Sequence, residues 1–135
     1  MLTNELRKEL IIKASEVRKR AYTPYSNYPV GAALLAESGK IFTGVNVENA
    51  AYPVTMCAER VAVFKAISEG ENKFVAIAVV TRNGGSPCGS CRQVLSEFGL
   101  DTLVILADSE GQLIDEVRVG DLLPGAFGPA YLDQI

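Results

Sequence analysis

Histidine and tryptophan are both absent from this chain of 135 residues, and cysteine occurs only three times. Without histidine there is no Ser-His-Asp or Cys-His nucleophile system, no imidazole metal ligand and no imidazole proton shuttle. Acid–base chemistry near neutrality must then fall to Asp, Glu, Lys, Tyr or Cys. An excess of positive charge is lacking too, since 13 basic residues against 16 acidic ones leave a formal charge of -3. A polynucleotide binder usually carries enough Lys and Arg to neutralise several phosphates, so no nucleic-acid partner is expected. No run approaches the roughly 18 apolar residues that span a bilayer, which argues against a membrane partner. The segment 1–10, with its Glu, Arg and Lys residues, lacks the unbroken apolar stretch of a secretory signal. An odd number of cysteines fits poorly with a disulfide framework, and the expected location is a reducing cytoplasm.

What is present is a chain 48% hydrophobic, of a length suited to a single domain spanning residues 1–135. Such a domain buries roughly two-thirds of its unfolded surface and needs no disulfide staple. Leu6, Leu10, Ile11, Ala14 and Val17 recur at helical spacing and predict a helix over 4–20. Residues 22–29 hold two prolines and read as a loop. Two short apolar runs, 30–36 and 40–47, flank Glu37-Ser38-Gly39 and predict a hairpin. Residues 48–56 read as a loop. A second helix is expected over 57–69, closed by Gly70, and a third over 88–98, closed by Gly99. The continuous apolar run 74–81 suits a central strand buried on both faces. Residues 102–107 predict a further strand, 113–117 an edge strand, and 119–123 a short helical turn. The order describes an α/β fold, a three-layer α/β/α sandwich around a mixed sheet.

All three cysteines fall at the entry to a predicted helix: Cys57 before one, Cys88 and Cys91 at the start of another. Residues three apart share a helix face, so Cys88 and Cys91 can grip one ion. Zinc prefers four tetrahedral ligands and binds thiolates well; three protein ligands leave the fourth place to water, as in catalytic rather than structural sites. Glu59, in the first turn after Cys57, is placed to take a proton from that water. A dication held by three thiolates is formally a monoanion, and ionised Glu59 adds a second negative charge. Arg60 and Arg92 follow the two clusters, and with the helix amino termini they are expected to balance it, Arg60 by hydrogen bonding to sulfur. Other readings compete. A redox Cys-x-x-Cys pair leaves Cys57 and Glu59 unexplained. Inert buried cysteines account for Cys57 alone better than for three thiols at helix entries.

Cys57-Ala58-Glu59 followed by Pro87-Cys88-Gly89-Ser90-Cys91 is the three-cysteine form of the zinc deaminase signature. The stretches Ala21-Tyr22-Thr23-Pro24-Tyr25-Ser26, Val30-Gly31-Ala32-Ala33-Leu34-Leu35, Asn46-Val47-Glu48-Asn49-Ala50-Ala51-Tyr52-Pro53 and Leu122-Leu123-Pro124-Gly125-Ala126-Phe127 narrow the match. Together, over about residues 21–127, they resemble the small homotetrameric cytidine deaminases. The resemblance implies a cytidine deaminase-like fold and one zinc ion per subunit. It also implies hydrolytic deamination of free cytidine and deoxycytidine to the uridine products and ammonia, as in pyrimidine salvage. By the same resemblance Asn46 and Glu48 hold the ribose 3′-hydroxyl. Tyr28, where the family usually has Phe, packs on the pyrimidine. The Ala58 N–H faces the base carbonyl, and the Ser86 or Pro87 carbonyl faces the leaving amine. Tyr52 and Phe127 match residues that neighbouring subunits contribute to one another's pockets.

Three rivals stand beside this reading. Blasticidin S deaminases share the zinc motif and resemble Gly44-Val45-Asn46-Val47, whereas Glu48-Asn49-Ala50-Ala51-Tyr52 favours cytidine. A polynucleotide deaminase needs a basic strand-binding surface. A non-catalytic zinc-stabilised module would close the fourth position with a side chain.

Overall fold

A computed structural model of the chain describes residues 1–132; the last three residues of the expected 1–135 domain lie outside it. The first helix, α1 (Asn4–Arg18), starts where Thr3 accepts a hydrogen bond from the Leu6 N–H at 3.1 Å. That contact satisfies one of the free amide donors at a helix start. Leu10, Ile11 and Ala14 form its buried stripe. Strands β1 (Gly31–Ala36) and β2 (Ile41–Val45) follow as an antiparallel hairpin. The chain then runs through α2 (Ala58–Ser68), β3 (Phe74–Val80), α3 (Gly89–Glu97), β4 (Leu103–Ala107) and β5 (Leu113–Arg118) to a single turn, α4 (Val119–Leu122).

The five strands make one sheet in the order β2-β1-β3-β4-β5. Only β3 and β4 run parallel, joined by the α3 crossover; the remaining pairs are antiparallel. Period-two alternation divides the side chains between two cores. Ala33, Leu35, Ala76, Ala78, Val80, Ile105 and Ala107 face α1. Ala32, Leu34, Phe42, Ile77, Val79, Val104 and Leu106 face Ala58, Ala62, Val63 and Ala66 of α2 and Leu95 of α3. Helices on both faces of a mixed sheet are the expected three layers.

The differences from expectation lie at element ends and in one loop. Strand β2 stops at Val45 rather than at 47, because Val47 turns to pair with Met56 and Tyr22 in isolated bridges. A short 3-10 turn, Tyr52–Val54, interrupts the predicted 48–56 loop. Both site helices begin one residue late, since Cys57 and Cys88 are their N-caps with extended backbone, at φ/ψ of -77°/153° and -68°/167°. A cap residue with that backbone aims its side chain past the helix end rather than around its side.

Gly44 controls how α2 sits on the sheet. A Cβ there would lie 2.5 Å from the Ala58 carbonyl oxygen and 2.6 Å from the Ala62 nitrogen. Both are backbone atoms, so the first turn of α2 reaches the sheet only because position 44 lacks a side chain.

Candidate functional site

The amino termini of α2 and α3 meet at the end of β3. Cys57 and Cys88 point from their cap positions, and Cys91 enters from the first turn of α3, so that the three Sγ atoms lie within 4.8 Å of one another. The Cys57–Cys88 separation is 3.8 Å and the Cys88–Cys91 separation 3.6 Å. Tetrahedral coordination with Zn–S bonds of about 2.3 Å requires sulfurs about 3.8 Å apart. The donor set therefore fits one zinc ion, and the positive ends of two helices favour its thiolates. Cys91 is buried, Cys57 partly buried and Cys88 exposed, so the cluster is open on one side.

Glu59, only 5% exposed, stands beside these sulfurs. With Cys57, Cys88, Ala58, Tyr28, Val30, Asn46, Val79, Thr81, Gly85 and Ser86 it lines a cavity of about 210 Å³. Burial pushes the Glu59 carboxyl up to about 7, aided by the Cys57 charge, against the opposing pull of Arg60. The Cys57 thiol is brought down to about 5, chiefly by the Cys91 thiol and then by the Arg60 guanidinium. Cys91 moves the other way, raised by its hydrogen bond to Cys57 and by burial. The site thus sets a buried, proton-holding carboxyl beside one thiol, Cys57, that is disposed to ionise and another, Cys91, that is not.

The two arginines part company. Arg60 donates from Nη2 to Cys57 Sγ at 3.3 Å, as its expected part in charge balance requires. Arg92 instead donates to the Pro87 carbonyl at 2.8 Å, the Leu122 carbonyl at 2.9 Å and Ser86 Oγ at 3.0 Å. Its hydrogen bonds brace the loop before Cys88.

The remaining residues named from sequence divide between two hollows. Asn46, Tyr28, Ala58 and Ser86 line the cavity that holds Glu59. Asn46 donates from Nδ2 to the Tyr28 carbonyl and accepts from the Val30 N–H, both at 2.9 Å, which fixes its amide plane. Glu48 lies in an adjoining hollow with Tyr25, Ser26, Tyr52 and Thr55. Its carboxylate accepts from the backbone N–H groups of Tyr25 at 3.0 Å and Ser26 at 3.1 Å, and from the Ser26 hydroxyl. These bonds, led by the Ser26 hydroxyl, hold it below the usual carboxylate range. Tyr52 is 69% exposed and Phe127 56%, and neither lines the cavity around Glu59. Tyr52 meets Tyr25 edge-on, and Phe127 stacks on Tyr131 at 5.3 Å. Val30, Val79, Thr81 and Gly85 complete the wall, and none of the four was named as a site residue from the sequence. A roomier groove of about 470 Å³ runs between α1 and residues 109–111 but contains no cysteine.

Comparison with known proteins adds independent findings. Residues 4–107 match the family model described as the cytidine and deoxycytidylate deaminase zinc-binding region. The chain is 52% identical to a cytidine deaminase of Sporosarcina psychrophila over 122 residues, which is 88% of this chain and 89% of that protein. It is 44% identical to a cytidine deaminase of Mycobacterium tuberculosis over 117 residues, covering 85% of this chain and 84% of the relative. The crystal structure of cytidine deaminase from Burkholderia pseudomallei superposes with a TM-score of 0.85 at 45% identity, covering 93% of this chain and 100% of that one.

Proposed function

The chain belongs to the cytidine deaminase family, and from that premise we propose that it converts free cytidine and deoxycytidine, with water, to the uridine products and ammonia. The observation that carries this reading is a cluster of three sulfurs at the edge of a cavity that Cys57, Cys88 and the buried Glu59 carboxyl line.

Cys57, Cys88 and Cys91 would hold one zinc ion per subunit. When bound, that ion supplies a Lewis acid that makes water acidic near neutral pH and stabilises oxygen charge. Proton movement belongs to Glu59. Its carboxylate accepts a proton from the attacking water and passes it to N3 of the pyrimidine while the water oxygen bonds to C4. It then carries the remaining hydroxyl proton to the exocyclic amine, the C4–N bond breaks, and ammonia leaves behind a C4 carbonyl and an N3–H. A carboxyl held near 7 by burial suits a group that must both take and give a proton at neutral pH. Ala58 offers its N–H and Ser86 or Pro87 a carbonyl to the base, while the Tyr28 ring stacks on it. Asn46 and Glu48 serve the ribose 3′-hydroxyl.

We further read residues 1–135 as one domain of a cytoplasmic homotetramer whose pockets are shared. Free thiols support the compartment. The exposure of Tyr52 and Phe127, outside the cavity of their own subunit, supports the sharing. No helix among the described residues is long and apolar enough to cross a membrane. The test is incubation of purified, zinc-loaded protein with cytidine and with blasticidin S, following uridine formation and ammonia release. Deamination of cytidine is expected; turnover of blasticidin S alone, or of neither, would overturn the assignment. Light scattering tests the tetramer.

A further inference from the structure

Tyr28 lines the cavity beside Cys57, Ala58, Glu59 and Ser86. Its phenol donates to Asn83 Oδ1 at 2.6 Å, a contact between residues 55 apart in sequence. The same oxygen accepts from Thr81 Oγ1 at 3.5 Å, and Thr81 Oγ1 accepts from the Gly85 N–H at 2.8 Å. A continuous polar chain thus joins the Tyr28 ring to the loop that leads into Cys88. The Arg82 guanidinium lies over the ring, 5.5 Å from its centroid, and takes one aromatic face as a cation–π partner. Only the other face is left for a flat ligand.

Gly85 fits this arrangement. A Cβ at position 85 would come within 2.7 Å of the Tyr28 oxygen, whereas its next neighbours, Asn83 Oδ1 and Thr81 Oγ1, stand at 3.8 Å. The backbone at Gly85 is outside the positive-φ region, so alanine there would displace the phenol without straining the backbone.

We propose that Asn83 is a positioning residue for substrate binding: through the Tyr28 hydroxyl it sets the pose of the ring that meets the pyrimidine, with Gly85 kept small to admit that hydroxyl. The proposal rests on the reading of the cavity as a nucleoside site. Stacking energy depends on ring offset and tilt, and a ring on the 22–29 loop holds its tilt only while its far end is anchored. Asn83 has no part in proton transfer, so its loss belongs in binding, with little change in the chemical step.

The test compares zinc-loaded wild type, Asn83→Ala, Tyr28→Phe and the double variant with cytidine as substrate. A solvent-accessible hydrogen bond of ordinary net strength corresponds to about a two- to fivefold rise in KM for Asn83→Ala, with kcat within about twofold. In the Tyr28→Phe background the same replacement adds nothing further. Gly85→Ala raises KM beside Tyr28 and is tolerated beside Phe. Three results overturn the proposal: an unmoved KM in Asn83→Ala, an equal rise in both backgrounds, or no relief of Gly85→Ala by Tyr28→Phe. Should the wild type leave cytidine untouched, the nucleoside reading fails by itself. The tether is then read from thermal midpoints of the same variants, where non-additive shifts support it and additive shifts sink it.

Discussion

Glu59 is an acid held among groups that give it little solvent, 5% exposed and shifted up to about 7 by that burial. Glutamine keeps its volume and removes its capacity to carry a proton. General acid–base catalysis typically contributes about 10² to 10⁴-fold. Glu59→Gln is therefore expected to lower kcat by at least that factor while zinc content, measured by metal analysis, stays at the wild-type level. Arg60 touches a sulfur, Cys57 Sγ, and is not among the residues lining the cavity. Its N–H···S contact at 3.3 Å offsets thiolate charge, and partners of metal ligands commonly change affinity about 10- to 100-fold when removed. Arg60→Gln should weaken zinc binding to that extent in a chelator competition. Unchanged affinity and turnover would show that the helix ends suffice for charge balance.

At the scale of elements, the site depends on where two helices begin. The first turn of α2 packs on β2 through Gly44, with two backbone atoms less than 3 Å from the place a Cβ would occupy. Gly44→Ala must move the helix start, and overpacking of this kind costs about 1–3 kcal/mol. Because Cys57 caps that helix and Glu59 lies in its first turn, the shift should also lower zinc stoichiometry, measured beside the denaturant midpoint. Retention of both stability and metal would mean that α2 does not need this close approach. These dependencies also explain what could be read from sequence. The helical spacing of Leu10, Ile11 and Ala14 and the unbroken run 74–81 report burial directly, so the layers were legible. The cysteine triplet was legible because the three-residue spacing of Cys88 and Cys91, and the place of each thiol where a helical run begins, are local features of the sequence. The end of β2 was not, since Val47 leaves the strand for Met56 and Tyr22, a choice made by tertiary pairing. Nor was the role of Arg92, whose carbonyl partners include Leu122, 30 residues away. The separation of Asn46 and Glu48 into adjoining hollows follows from the chain turning out of β2, which residue types alone do not announce.

For the whole molecule, the question is how far the fold needs its metal. The two cores on either face of the sheet are built from apolar side chains, among the described residues, that are largely independent of the sulfur cluster. In small zinc fingers, by contrast, metal binding itself supplies the folding free energy. Zinc held by the three cysteines would join α2 and α3 at their amino termini, elements that already share one core through Ala62, Val63 and Leu95. Its removal should leave secondary structure intact by far-ultraviolet circular dichroism. Stability should nonetheless fall, because a ligand that binds only the folded state stabilises it by about 4 kcal/mol at a thousandfold excess over its dissociation constant. Chelator-stripped protein is thus expected to stay folded with a lower unfolding midpoint, and added zinc should restore it in proportion to the logarithm of free metal. Acidification acts in the same direction as chelation, since protons compete for the thiolates. Collapse of the circular dichroism spectrum on stripping would instead make the cation a condition of folding, and the two hydrophobic cores insufficient by themselves.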